Sequence, residues 1–154
     1  MSAPDRDRTS DSPIRVICAD DHVDLLQLLA RVIDREPDLA CVHCASDAQG
    51  VIDYLEQCAA VAGAPMSPSI HGSASPVVVL LDLTMPGLDP LEAARHIMLH
   101  WPATRVVACS GHDSPEAVEA ARCAGACGHV GKHLGPTAIL AAIRQAAATA
   151  GRRG

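Results

Sequence analysis

Apolar positions along this chain follow two rhythms that alternate. Short runs rich in branched residues have the length and composition of strands: "IRVICAD" (14–20), "LACVHCA" (39–45), "VVVLLD" (77–82), "TRVVACS" (104–110) and "GHVGK" (128–132). Residues 77–81 are apolar without a break, as in a strand covered on both faces. Between these runs the spacing becomes helical. In "VDLLQLLARVIDREP", Leu25, Leu29, Val32 and Ile33 share one helical face, and Pro37 stops the helix. Ser46 or Asp47 can cap "AQGVIDYLEQCAA". A third helix is expected at about 91–100. "SPEAVEAARCAG" has Ser114 as its cap and Pro115 in its first turn, and "GPTAILAAIRQAAATA" closes the chain.

Five strand–helix repeats predict a single α/β domain, a doubly wound parallel sheet of the flavodoxin-like (βα)5 kind. Right-handed crossovers leave few arrangements, of which the order 2-1-3-4-5 is expected. Functional sites in such sheets form at the carboxyl ends of the strands, near the switch point between strands one and three. The domain is expected over 14–150. Polar residues 1–13 read as a disordered tail, 151–154 as a short basic tail, and the Pro-, Gly- and Ser-rich stretch at about 60–76 as a flexible surface insertion.

Composition narrows the function. The chain has 154 residues, enough for a proper core, and is 49% hydrophobic, but it lacks Phe and has one Trp (Trp101) and one Tyr (Tyr54), so aliphatic residues must fill the interior. A formal charge of −6 argues against a nucleic-acid surface, which needs clustered Lys and Arg. No secretory signal or membrane-length apolar run is visible, so the expected compartment is the cytoplasm. The seven cysteines read as small buried hydrophobes in a reducing compartment. "CVHC" (41–44) has CxxC spacing, but residues three apart on a regular strand point to opposite faces, so its thiols are expected to diverge. His96 and His100, four apart on a helix, have metal-binding spacing, although a solvated helix face explains them as well.

Chemistry collects at the strand ends. Strand one ends in Asp20-Asp21, strand three in Asp82, strand four in Ser110 and strand five in Lys132. Any one of these is an ordinary solvated residue. Together they would place three carboxylates, a hydroxyl and an ammonium at one edge of the sheet. Two carboxylates at 4 Å repel by roughly 4 kcal/mol at an effective dielectric of 20. A divalent cation and a lysine relieve that repulsion, and oxygen ligands suit Mg2+.

The segments "ADDH", "LLDLTMPGLD", "CSGHD" and "AGACGHVGK" resemble the response-regulator receiver domain of two-component signalling, in wording closest to receivers of nitrate/nodulation-type DNA-binding regulators. The resemblance implies that Asp82 is the phosphoacceptor and that a histidine kinase or histidine phosphotransfer protein is the donor. It implies Mg2+ bound by Asp20, Asp21, Asp82 and the backbone carbonyl of Thr84, with Ser110 and Lys132 on phosphoryl oxygens. Thr84, Gly111 and His112 would govern phosphate access and lifetime. His129 stands where the family usually has an aromatic switch residue; histidine is polar and titrates near neutrality, which suggests a switch biased by pH. Pro90 replaces a usual glycine, and His133 a common proline, so a trans bond is expected after Lys132.

Other readings fit less well. A haloacid-dehalogenase-type phosphatase needs an aspartate two residues after the first, where Thr84 stands, and a dinucleotide site needs glycines where "CADDHVD" offers acid. An unphosphorylated receiver serving only as an interaction module is disfavoured by its intact key positions. With no recognition helix after the last helix, the expectation is a stand-alone receiver, not an enzyme beyond its own phosphorylation and dephosphorylation. It would contact a downstream protein through the face formed by its fourth helix, fifth strand and fifth helix, possess no direct contact with nucleic acid or membrane, and be open to phosphorylation-dependent homodimerisation. The alternative is the receiver part of a transcriptional regulator.

Overall fold

The computed structural model describes residues 13–62, 76–111 and 114–152. The expected tail at 1–13 and insertion at about 60–76 therefore lie almost wholly outside the described residues, as does His112. Five parallel strands, β1 (Ile14–Ala19), β2 (Leu39–Ala45), β3 (Val77–Asp82), β4 (Thr104–Ser110) and β5 (Gly128–Gly131), form one sheet in the order β2-β1-β3-β4-β5. The helices are α1 (Val23–Asp34), α2 (Ala48–Ala62), α3 (Pro90–His100), α4 (Pro115–Cys123) and α5 (Pro136–Arg152). The expected flavodoxin-like architecture is thus the observed one.

Alternation along the strands divides the core in two. Ile17, Ala19, Val77, Val79, Leu81, Val106 and Ala108 face α2, α3 and α4. Val16, Cys18, Val78, Leu80, Val107, Cys109 and Val130 face α1 and α5. Aliphatic side chains fill both layers, and buried Trp101 joins the first of them just after α3.

Local chemistry explains the helix starts. Asp47 Oδ1 accepts the backbone N–H of Gly50 at 2.9 Å and so caps α2. Ser114 caps α4 through the N–H of Ala117, with Pro115 in the first turn. Asp89 caps α3 and Pro90 occupies its first turn, so the proline that replaces a glycine here starts the helix one residue earlier than expected.

Of the seven cysteines expected as buried hydrophobes only Cys18 and Cys109 are buried, while Cys44, Cys123 and Cys127 are exposed. Four further details differ from expectation. The buried stripe of α1 is centred on Leu26, Leu29 and Ile33, with Leu25 and Val32 only partly covered, because both sides of a helix apolar over so many positions compete for the sheet. Lys132 lies just past β5 in a 3-10 turn (Lys132–Leu134) instead of ending the strand, while the bond after it is trans, as expected. Helix α5 runs to Arg152, beyond the boundary expected at 150, since its alanine-rich end sustains the helix. The fourth difference is in β2. Its register against β1 shifts between Val16 and Ile17, which face Cys41 and His43, so Val42 is an extra, bulged residue. The bulge turns Cys41 and Cys44 to the same side, with their sulfurs 3.8 Å apart instead of diverging. A strand's alternation holds only while its register does.

One ion-pair network ties the last helix to the start of β2. Arg144 of α5 donates from Nε and Nη2 to the two carboxylate oxygens of Asp38, at 2.8 and 2.9 Å, and from Nη2 to Glu36 at 2.7 Å. Arg144 holds the Asp38 carboxyl below its ordinary 3.8, with burial opposing. A depressed carboxylate contributes stability above its ordinary value and loses it as pH falls through its lowered folded value. Arg144→Gln is therefore expected to cost at most about 1 kcal/mol near neutrality, because half-exposed pairs are screened. Urea unfolding across pH should show that difference fading below about pH 4; a difference that grows in acid would contradict the assignment.

Candidate functional site

The register of the sheet builds the site. Ala19 pairs with Leu81, Asp82 with Cys109, and Ser110 with Gly131, so Asp20, Asp82, Ser110 and Lys132 emerge at neighbouring strand ends. Hydrophobic pairing below them forces polar residues together above. Asp20, Asp82 and Ser110 are buried, although two of them are acids.

Lys132 bridges the carboxylates. Its Nζ lies 2.7 Å from Asp20 Oδ2 and 3.3 Å from Asp82 Oδ2. Asp20 has further support, since its Oδ1 accepts the backbone N–H of His22 at 2.9 Å and lies 3.1 Å from His22 Nδ1. Asp82 Oδ1 accepts both the backbone N–H and the hydroxyl of Thr84, at 3.1 and 3.0 Å. Asp82 Oδ2 is buried, has Lys132 as its neighbouring cation and makes no hydrogen bond.

This unequal support separates the two acids. Burial pushes Asp20 upward, but Lys132 and His22 outweigh it and leave the carboxyl below its ordinary value. Burial also pushes Asp82 upward; the Asp20 charge adds to that push, while Thr84 and Lys132 offset only part of it, so Asp82 ends above its ordinary value. Lys132, although partly desolvated, is raised by the two carboxylates and is firmly charged.

The turn after β3 continues the arrangement. Gly87 has a φ of +89° in the Met85-Pro86-Gly87 turn, a conformation that costs glycine little. Buried Met85 anchors that turn in the α2–α3–α4 layer, beside the strand that carries Asp82. Ser110 Oγ lies 3.5 Å from His129 Nε2 on β5. A Cβ placed on Gly111 would meet no atom within 4 Å, so the approach beside Ser110 is open.

Asp20, Asp21, His22 and Asp82 can each supply a ligand atom, all within 4.8 Å of one another. This donor set, dominated by hard carboxylate oxygens, fits a divalent cation. The undersatisfied Asp82 Oδ2 also fits, since a buried carboxylate oxygen lacks full compensation without one. His22 was not singled out by spacing, although its place in "ADDH" was visible. Nor was the Thr84 hydroxyl expected to bond Asp82 itself. His96 and His100 do not join the metal-ligand group; their rings stack on each other with centroids 4.0 Å apart.

Comparisons with known proteins point to one family. The profile of the response regulator receiver domain matches residues 16–144. The nitrate/nitrite response regulator protein NarL of Escherichia coli is 29% identical over 140 residues, 91% of this chain and 57% of that protein. The transcriptional regulatory protein DegU of Brevibacillus brevis is 23% identical over 138 residues, 90% of this chain and 52% of that one. The chain thus spans about half the length of these curated relatives. A LuxR-family two-component response regulator from an Aurantimonas species superposes with a TM-score of 0.73 at 29% identity, covering 90% of this chain and 87% of the other.

The unequal support of the two acids has a thermodynamic consequence. Asp82→Asn removes an under-compensated buried charge and is expected to stabilise the metal-free protein by about 1 kcal/mol at neutral pH. Urea denaturation of both proteins in chelator checks this; a clear loss of stability would show that Lys132 and Thr84 already compensate Asp82 fully.

Proposed function

The chain belongs to the response regulator receiver domain family, and on that premise we propose that Asp82 accepts a phosphoryl group from the phosphohistidine of a histidine kinase or histidine phosphotransfer protein. Receiver domains as a family interact with such proteins and act as signalling modules. The observation that carries the reading to this chain is the buried Asp82 Oδ2 beside Lys132, in an acidic cluster at the switch point of the sheet.

In the proposed step a carboxylate oxygen of Asp82 forms a bond to phosphorus while the phosphorus–nitrogen bond of the donor breaks. The electron pair leaves with the imidazole, which ends neutral once its nitrogen is protonated. The product is an aspartyl phosphate. The Lys132 ammonium would offset charge on a phosphoryl oxygen, and the Ser110 hydroxyl would donate to another. Thr84 orients the acceptor by holding Oδ1 from two directions. When bound, Mg2+ held by Asp20, Asp21, Asp82 and the Thr84 carbonyl would neutralise charge on the transferred group. Thr84, Gly111 and His112 would set access to the phosphoryl group and its lifetime.

Output follows from the same residues. Movement of Ser110 toward the phosphoryl group would release its contact with His129, and the displaced ring would alter the α4-β5-α5 face offered to a protein partner or a second copy. Among the described residues no helix is long and apolar enough to cross a membrane, which accords with a cytoplasmic role. Two outputs are open to such a receiver. A stand-alone receiver works by protein contact alone. A receiver within a DNA-binding regulator is the second reading, favoured by relatives about twice this length that are named transcriptional regulatory proteins.

Incubation with a small-molecule phosphodonor and Mg2+ tests the chemistry. The expected result is a mass gain of one phosphoryl group, sensitive to hydroxylamine and mapped to Asp82. Asp82→Asn should abolish it, and Lys132→Met should slow it by at least about tenfold. Retention of the modification in the Asp82→Asn protein would refute the assignment. Immunodetection of the native protein separates the outputs: a 16.0 kDa species fits the stand-alone form, and a species about twice that size fits the regulator.

A further inference from the structure

The two thiols of β2 lie outside the acidic cluster, and the fold has brought them together. Val16 and Cys18 face the same core layer, and their partners across the β1–β2 ladder are Cys41 and Cys44. The bulge at Val42 is what makes both pairings possible. Cys41 and Cys44 Sγ consequently stand 3.8 Å apart on the edge strand of the sheet. Asp34, the last residue of α1, accepts the backbone N–H of Cys41 at 2.9 Å and fixes that residue in place. Cys44 is exposed and Cys41 half-buried, so solutes reach the pair, whereas Cys18 beneath it is fully buried.

We propose that Cys41 and Cys44 form a redox-active dithiol, oxidised by a hydroperoxide to an intramolecular disulfide and reduced again by an external dithiol. In the first step the Cys41 thiolate attacks the terminal peroxide oxygen. The oxygen–oxygen bond breaks, the alcohol or water leaves with the former thiol proton, and Cys41 becomes a sulfenic acid. In the second step Cys44 sulfur attacks Cys41 sulfur. The sulfur–oxygen bond breaks, and water departs with the hydroxyl and the Cys44 proton. The two sulfurs together lose two electrons, and the peroxide gains them. An external dithiol returns two electrons and two protons through a mixed disulfide.

Geometry permits the bond. The sulfurs must close from 3.8 Å to about 2.05 Å, on a strand that, among the described residues, has no further strand paired beyond it. The local electrostatics assign the roles. The Cys18 thiol donates toward Cys41 and, with help from Cys44 and against burial and Asp34, brings Cys41 down to about 7. Burial and the neighbouring Cys41 push Cys44 up to about 11. Cys41 is the attacking thiolate and Cys44 the resolving thiol.

The test uses the full chain. Reduced protein is exposed to hydrogen peroxide, remaining thiols are alkylated, and the chain is cleaved after Arg35 and Glu56, the Glu36–Pro37 bond being resistant. Fragment 36–56 then carries Cys41 and Cys44 and no other cysteine. It is expected to be lighter by two hydrogens and free of alkyl groups, and dithiothreitol before alkylation should restore the doubly alkylated form. Cys44→Ser should leave a Cys41 sulfenic acid that dimedone traps, and Cys41→Ser should slow peroxide-dependent thiol loss in the fragment at least about tenfold. The wild-type result stands whether or not either variant folds. A fragment that stays doubly alkylated while Cys123 or Cys127 is oxidised overturns the proposal, and so does a Cys18–Cys41 cross-link in its place.

Discussion

The structure depends on two buried carboxylates that share one lysine. Asp20 and Asp82 are placed side by side by the register of β1 and β3, and Lys132 reaches both from beyond β5. Neither acid could be held there by its own surroundings, because burying a lone charge is costly. The sharing is unequal: Asp20 takes the shorter contact and the backbone donor, and Asp82 is left with an oxygen that makes no hydrogen bond. That residual deficit leaves Asp82 the less compensated of the pair.

The rest of the fold keeps this arrangement from relaxing. Each of β1, β3 and β4 is anchored by buried side chains in both helical layers, so its end cannot retreat without exposing apolar surface. Polar support comes from short local contacts instead: Thr84 and His22 lie two residues from the acids they assist. Rigid strands thus carry the acids and turns tune them. Receiver domains as a family act as signalling modules and interact with histidine kinases or phosphotransfer proteins.

The acidic cluster was legible in the sequence because strands announce themselves by composition and their last residues stand out as polar. Once the alternation of strand and helix implied a parallel sheet, the convergence of Asp20, Asp82, Ser110 and Lys132 followed from topology alone. Less visible were features set by pairing between distant segments. The bulge at Val42 depends on how β2 meets β1, and "CVHC" carries no local mark of it. The rotation of α1 toward Leu26 is similar, since seven large apolar residues offered more than one face and the sheet selected among them. The Thr84 hydroxyl on Asp82 was hidden for a different reason, because a side chain's choice between solvent and a neighbouring carboxylate turns on its rotamer.

The proposed role of this pocket is acceptance of a phosphoryl group on Asp82, with the neighbouring strand ends neutralising it. Amide NMR with beryllofluoride and Mg2+, which together imitate an aspartyl phosphate, tests this most directly. The account predicts large shifts at Asp82, Thr84, Ser110, Gly111 and Lys132, extending to His129, and no such shifts in the Asp82→Asn protein. Spectra unchanged by the mixture, or changed equally in the variant, would contradict it.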